Sequence, residues 1–165
     1  MSTESDPKRW LESVSSRYDR DGRDPKGMAQ AAWQGSRFGP LFLYGLHVSS
    51  VSHGRAHCSI RVPPHLTDME GNWQPGPIAT LIDLVAAAAI MSCEDTIKVT
   101  VDLDISFFSP AKIGEEVEIE AHVLQNKGRL TGVMVEIRKK GDRSLVAVGR
   151  EWMTSSSARP FESKL

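Results

Sequence analysis

Cysteine is scarce in this chain: two among 165 residues, Cys58 and Cys93, each in an apolar or mixed stretch. Two such thiols make no disulfide framework and read as reduced cysteines of an intracellular protein. A surplus of either charge is also lacking. The 20 basic side chains meet 21 acidic ones, for a net charge of -1, so no global field favours nucleic acid or a membrane surface. Long apolar runs are missing too. The longest, Leu84 to Met91, is far too short to cross a bilayer, and the opening residues do not read as a secretory signal. No G-x-S-x-G, P-loop, G-x-G-x-x-G or H-E-x-x-H occurs, which removes serine-hydrolase, nucleotide-fold and zincin readings. The five histidines fall in no metal-binding spacing. His53 and His57 lie close together in a β region, but without a set of cysteines or carboxylates around them, so no metal is expected.

What is present is enough apolar side chain, 40% of the residues, to bury a single core. "DPKRWLESVSSRY" predicts a short helix with Trp10, Leu11 and Val14 on one side, and "DRDGRDPKG" a linker. From Leu41, "LFLYGLHVSSV" and "RAHCSIRV" read as two strands joined at "SHG" and stopped at Pro63-Pro64. Residues 65–76 read as a loop. A helix is predicted over residues 77–93, where Ile78, Leu81, Ile82, Val85 and Ala89 recur at i, i+3, i+4 and i+7. Pro77 suits its first position. Four strands follow. Ile97, Val99, Val101, Leu103, Ile105 and Phe107 alternate with Lys98, Thr100, Asp102, Asp104 and Ser106. Val117, Ile119, Ala121 and Val123 do the same, as do Val133, Val135 and Ile137 beyond the turn "QNKGR", and "SLVAVGREWM" closes the set. Period-2 alternation predicts an antiparallel sheet with one buried and one wetter face. The order β-β-α-β-β-β-β is an α+β architecture, one long apolar helix wrapped by a sheet.

The predicted helix carries one charge, Asp83. It lies off the apolar stripe, beside Ala79, Thr80, Ala86 and Ala87, on a second face too apolar for solvent. That face predicts close packing on another surface, such as a partner subunit. Two readings of Asp83 stand side by side. One is a partly desolvated carboxylate with a raised pKa, suited to general-base work; the other is a carboxylate stabilised by the helix dipole. Thr100, Asp102 and Asp104 share the polar face of the first long strand, where plain solvation is the ordinary role. Ahead of the helix, "QPGP" removes two N–H donors from a place where helices offer them to anions and carbonyl oxygens.

The stretches "PGPIATLIDLVAAAA", "VTVDLDISFFSPAKIGEEVEIEAHVL", "GRLTGVMVEIRKK" and "SLVAVGREWM" resemble the hotdog-fold acyl-CoA thioesterases. The nearest group is the PaaI-like branch that includes acyl-CoA thioesterase 13 and the peroxisomal plant thioesterases. "ATLID" and "VDLDISFFSPAKIGE" carry most of the resemblance, which covers residues 40–155. It implies a hotdog fold, subunits paired sheet to sheet as a homodimer or homotetramer, and active sites at the subunit interface. It also implies hydrolysis of an acyl-CoA to a free acid and coenzyme A, with no metal or redox cofactor. The family's catalytic carboxylate falls on Asp83, as base or nucleophile. Its water-placing Ser or Thr falls on Thr100, supplied by the partner subunit. The family's His-Gly-Gly and an earlier Asn fall on Gln74-Pro75-Gly76 and Asp68. Pro75 cannot make the N–H donation that the family's first glycine offers the thioester oxygen, and one lost oxyanion donor typically costs about 10²–10³ in rate. Gly76 N–H remains as a local donor, Gln74 replaces a histidine hydrogen bond, and Asp68 brings a second carboxylate. Lys112, Arg129, Arg138 and Arg150 are the cations for the coenzyme A phosphates, or else ordinary surface charges. The same departures admit a second expectation: a hotdog protein that binds CoA esters or a paralogous subunit with little turnover.

Ser163-Lys164-Leu165 is the tripeptide read by the peroxisomal import receptor, in a polar, Pro-containing tail. A peroxisomal location follows as an expectation. The expected layout is an N-terminal extension over 1–38, a hotdog domain over 39–156 and a tail over 157–165.

Overall fold

The computed structural model describes residues 6–15, 42–94 and 98–155. The "DRDGRDPKG" linker and the Ser163-Lys164-Leu165 tripeptide lie outside the described residues. The elements are α1 (Pro7–Ser15), β1 (His47–Ser52), β2 (Arg55–Arg61), a 3-10 turn (Pro64–Leu66), α2 (Pro75–Met91), β3 (Lys98–Phe107), β4 (Glu116–Lys127), β5 (Leu130–Lys139) and β6 (Leu145–Ser155). The six strands form one antiparallel sheet in the order β1-β2-β4-β5-β6-β3. Helix α2 lies across one face and contacts every strand. Its expected stripe, Ile78, Leu81, Ile82, Val85 and Ala89, is fully buried. Opposite stand the inward residues of the sheet: Val117, Ile119 and Ala121 on β4, Val133, Val135 and Ile137 on β5, Ala147 and Met153 on β6.

Helix and sheet come close because β6 carries Gly149 under the helix. A Cβ there would lie 2.5 Å from Ile82 Cγ2, well inside contact distance. The N-terminal helix belongs to the same core. Asp6 Oδ1 accepts the backbone N–H groups of Lys8 (3.0 Å) and Arg9 (3.3 Å), an N-cap followed by proline. Leu11 and Val14 are then buried against β1 and α2.

Several boundaries differ from the sequence reading. The first strand starts at His47 and not Leu41, because Gly45 turns the chain with φ +83°. At "SHG", His53 (φ 51°) and Gly54 (φ 74°) are both left-handed, the combination a two-residue type I′ hairpin turn requires. Strand β4 continues to Lys127, so the turn shrinks to Gly128-Arg129. Helix α2 begins at Pro75, which places the prolines at its first and third positions. Neither position has an intrahelical acceptor for an N–H. The first N–H to bond back is that of Ile78, to Gln74 O at 3.3 Å. Both prolines are therefore compatible with the helix.

The largest correction concerns β3. Its pairing with β6 slips between Thr100 and Asp102, a β-bulge. Beyond the bulge the expected alternation holds: Leu103 and Ile105 pack on the core. Before it the phase is inverted. Lys98 is buried and Thr100 stands opposite the buried Met153, whereas Val99 and Val101 are 48% and 55% exposed. A bulge re-aims side chains in this way. It separates Thr100 from Asp102 and Asp104, which the alternation had put on one face.

Candidate active site

Asp83 is half-buried on α2, and its Oδ1 accepts a hydrogen bond from Thr100 Oγ1 at 2.7 Å. The two meet within one chain. The bulge in β3 is the physical reason. On its other side Thr100 Oγ1 lies 2.6 Å from Oε1 of Glu151 on β6. Glu151 is 1% exposed, and its Oε2 is buried with no hydrogen-bond partner. Burial, then a side-chain hydrogen bond with Asp83 and its like charge, push the Glu151 carboxyl up to about 9 against the opposing bond to Thr100. Sequence reasoning missed this residue. Its signal was present: in "AVGREWM" a glutamate occupies the buried phase of the strand, between Gly149 and Met153.

The start of α2 is a second cluster. Gly76 is exposed at the second helical position, flanked by two prolines, so its N–H is the one donor of the first three residues. Gln74 is engaged elsewhere: its Nε2 donates to Thr67 O at 2.9 Å and its backbone N–H to Leu66 O at 3.0 Å. Asp68 is a loop-builder. Its Oδ1 accepts from the backbone N–H groups of Asn72 (2.8 Å) and Glu70 (3.0 Å), and its Oδ2 from Asn72 Nδ2 (3.0 Å). The Asn72 side-chain and backbone bonds hold this carboxyl below the ordinary range, as a solvated anion with both oxygens in use. Gly76 and Asp83 are seven residues apart on one helix, about 10 Å along its axis. The helix start and the Asp83 cluster therefore do not converge within the chain.

The four cations do not converge either. Lys112 lies beside the helix-start loop, bridged to Asn72, with Nζ 3.3 Å from Glu70 O. Arg129 Nη2 ties the β5 turn to Ser155 O at 2.8 Å. Arg138 is paired with Glu136 at 2.9 Å. Arg150 stands across from Asp104 on the sheet face away from α2. Among the described residues no three His, Cys, Asp or Glu side chains are grouped to hold a metal, and no helix is long and apolar enough to cross a membrane.

A match to the Thioesterase superfamily spans residues 71–146, from the helix-start loop into β6. Human acyl-coenzyme A thioesterase 13 is 34% identical over 102 residues, 61% of this chain and 73% of that protein. The chain belongs to the thioesterase superfamily. Two solved members share its hotdog fold. Zebrafish thioesterase superfamily member 2 superposes with a TM-score of 0.70 at 30% identity, covering 79% of this chain and 92% of that one. The mouse protein of the same name gives 0.71 at 27%, covering 93% and 98%. Asp83 and Thr100 fall inside the superfamily match, and Glu151 lies beyond its end at residue 146.

Proposed function

We propose that this thioesterase-superfamily protein hydrolyses acyl-CoA thioesters to a free acid and coenzyme A, with Asp83 as the base. The Asp83–Thr100 contact carries the reading. Oδ1 of Asp83 is occupied by the Thr100 hydroxyl, which leaves Oδ2 to take a proton from water. That water forms the new C–O bond at the thioester carbonyl, and the carbonyl oxygen becomes an oxyanion. Collapse breaks the C–S bond, and the proton held on Asp83 passes to the departing sulfur.

The oxyanion needs a donor, and Asp83's own helix start is about 10 Å away, where reacting groups must lie within about 3–3.5 Å. A second copy supplies it. Among the described residues the outer edge of β3 is unpaired, and it carries exposed Val99, Val101 and Phe107, the features that favour edge pairing. Docking there, a partner brings its Gly76 N–H to this copy's Asp83 and covers the exposed Thr100. Of the four cations, Lys112 is the one beside the helix start, and it is assigned to the coenzyme A phosphates. Ser163-Lys164-Leu165 supports import into peroxisomes, which a fluorescent fusion with and without that tripeptide tests.

Thiol release from short, long and aromatic acyl-CoAs tests the activity. Asp83→Ala should lower kcat by about 10²–10⁴, and equal rates for the two proteins would remove Asp83 from the reaction. One observation favours a second reading, a domain that binds CoA esters with little turnover: the helix start has a single free donor between two prolines. Pro75→Gly restores a donor. A large gain in turnover keeps the enzyme reading, and inactivity of both forms favours the binding one.

A further inference from the structure

The Thr100 hydroxyl has one proton, yet it lies 2.7 Å from a carboxyl oxygen of Asp83 and 2.6 Å from one of Glu151. Two hydrogen bonds need two protons. If both acids were ionised, one of these contacts would set lone pair against lone pair. The second proton therefore sits on a carboxyl, and burial selects which one. Asp83 is half-buried, whereas Glu151 is 1% exposed and no cation among the described residues acts on it. Leu103 on β3 and Val133 on β5 stand across from it in register. Asp83 on α2 acts on it through a side-chain hydrogen bond and as a like charge, and both favour a protonated Glu151. A charge in that position is costly; a neutral acid is not. Its proton is on Oε1, because the 2.6 Å contact with Thr100 Oγ1 needs a donor on the Glu151 side once the Thr100 proton is turned to Asp83.

We propose that Glu151 is a positioning residue: it stays protonated in the resting protein, donates to Thr100, and so turns the Thr100 proton onto Asp83 Oδ1. The proposal rests on the role of Asp83 argued above and deepens it. With the chain of donors running from Glu151 to Thr100 to Asp83, the rotation of the Thr100 hydroxyl is fixed. Asp83 presents Oδ2 to the reaction side, and the remaining lone pair of Thr100 accepts a hydrogen bond from the attacking water. Water held by one proton on Thr100 and the other on Asp83 has its own lone pair free for the carbonyl carbon. Glu151 touches neither water nor substrate in this arrangement.

Two substitutions separate this role from plain packing. Glu151→Gln keeps a donor toward Thr100, and Glu151→Met keeps only the volume. The glutamine variant should hold kcat within a few-fold of the natural protein, and the methionine variant should lose roughly 10²-fold in kcat with KM little changed. Above pH 9 the natural protein should lose kcat as Glu151 ionises, a limb absent from Glu151→Gln. Equal damage in both variants, or the same alkaline limb in Glu151→Gln, would overturn the proposal. A readout free of turnover accompanies these: an infrared carbonyl band of a protonated carboxylic acid at neutral pH, missing in Glu151→Gln. Absence of that band in an active natural protein sinks the role of Glu151 alone. A natural protein that shows the band and hydrolyses no acyl-CoA sinks the parent reading instead.

Discussion

Thr131 and Thr100 flank the same residue of β6, Met153, from β5 and β3, and each hydroxyl bridges two ionisable side chains. Around Thr131 the partners are opposite in charge. Lys98 Nζ lies 2.6 Å from Glu94 Oε2 and 2.5 Å from the hydroxyl, which in turn donates to Glu94 Oε1. Burial raises the Glu94 carboxyl, but the bonds from Lys98 and Thr131 outweigh it and hold it below its ordinary range. Around Thr100 the partners are two acids, and Glu151 is pushed up to about 9. One cluster balances its charges by pairing them, and the other keeps a proton on Glu151 so that Asp83 is its single charge. A paired cluster of this kind anchors structure, because every donor and acceptor already has its match. The acidic cluster instead leaves one carboxylate, Asp83, with an oxygen free for chemistry.

Three experiments press on this contrast. Lys98→Met removes the buried cation of the pair and leaves the part-buried Glu94 without its counter-charge, so denaturant titration should show a loss of about 3 kcal/mol. A negligible loss would mean the pair is not structural. Next, Thr131→Val should cost about 1–3 kcal/mol of stability through its orphaned partners, with turnover unchanged. Thr100→Val should lower turnover by roughly 10²-fold. If both variants move the same property, the two clusters do not divide the work. Smallest is the pH dependence of stability. Glu151 holds a proton in the folded state that the unfolded chain releases above its ordinary value near 4.5. Its contribution therefore falls as pH rises from about 4.5 to about 9. Glu94 has the opposite sign: its contribution is present above its ordinary value and is lost as pH falls through the depressed one. Unfolding midpoints measured against the natural protein, for Glu151→Gln from about pH 4.5 to about 9 and for Glu94→Gln below about pH 4.5, should diverge in opposite directions. Parallel curves would end the comparison.

Much of this was legible in the sequence, and the failures have physical causes. The stripe Ile78, Leu81, Ile82, Val85 and Ala89 fixed both the helix and its buried face, because period 3.6 survives whatever the helix packs against. The lone charge of that helix picked out Asp83. The direction of Thr100 was not legible, since a bulge adds a residue without any change in the alternation of side-chain types. Pro75 reads as anomalous for a helix that starts at Pro77; with the start at Pro75, both prolines sit where no intrahelical N–H bond forms. Asp68 was weighed as chemistry although "DMEGN" also spells a loop closed by an aspartate, which is what it does. Arg138 stands two residues from Glu136 on the same strand face, so their pairing was open to reading. Glu151 is marked in the sequence only by its phase, a glutamate at an inward position of β6, and alternation alone does not say which partner it meets there.

Gly149 has a bearing on catalysis that its lack of a side chain conceals. It lies two residues before Glu151 on the inward side of β6, about 7 Å away, directly beneath Ile82, the neighbour of Asp83. Any side chain at that position would lift α2 from the sheet and carry Asp83 upward with it. The spacing between the helix acid and the sheet acid, on which proton sharing through Thr100 depends to a few tenths of an ångström, is thus gauged by a residue that takes no part in the chemistry.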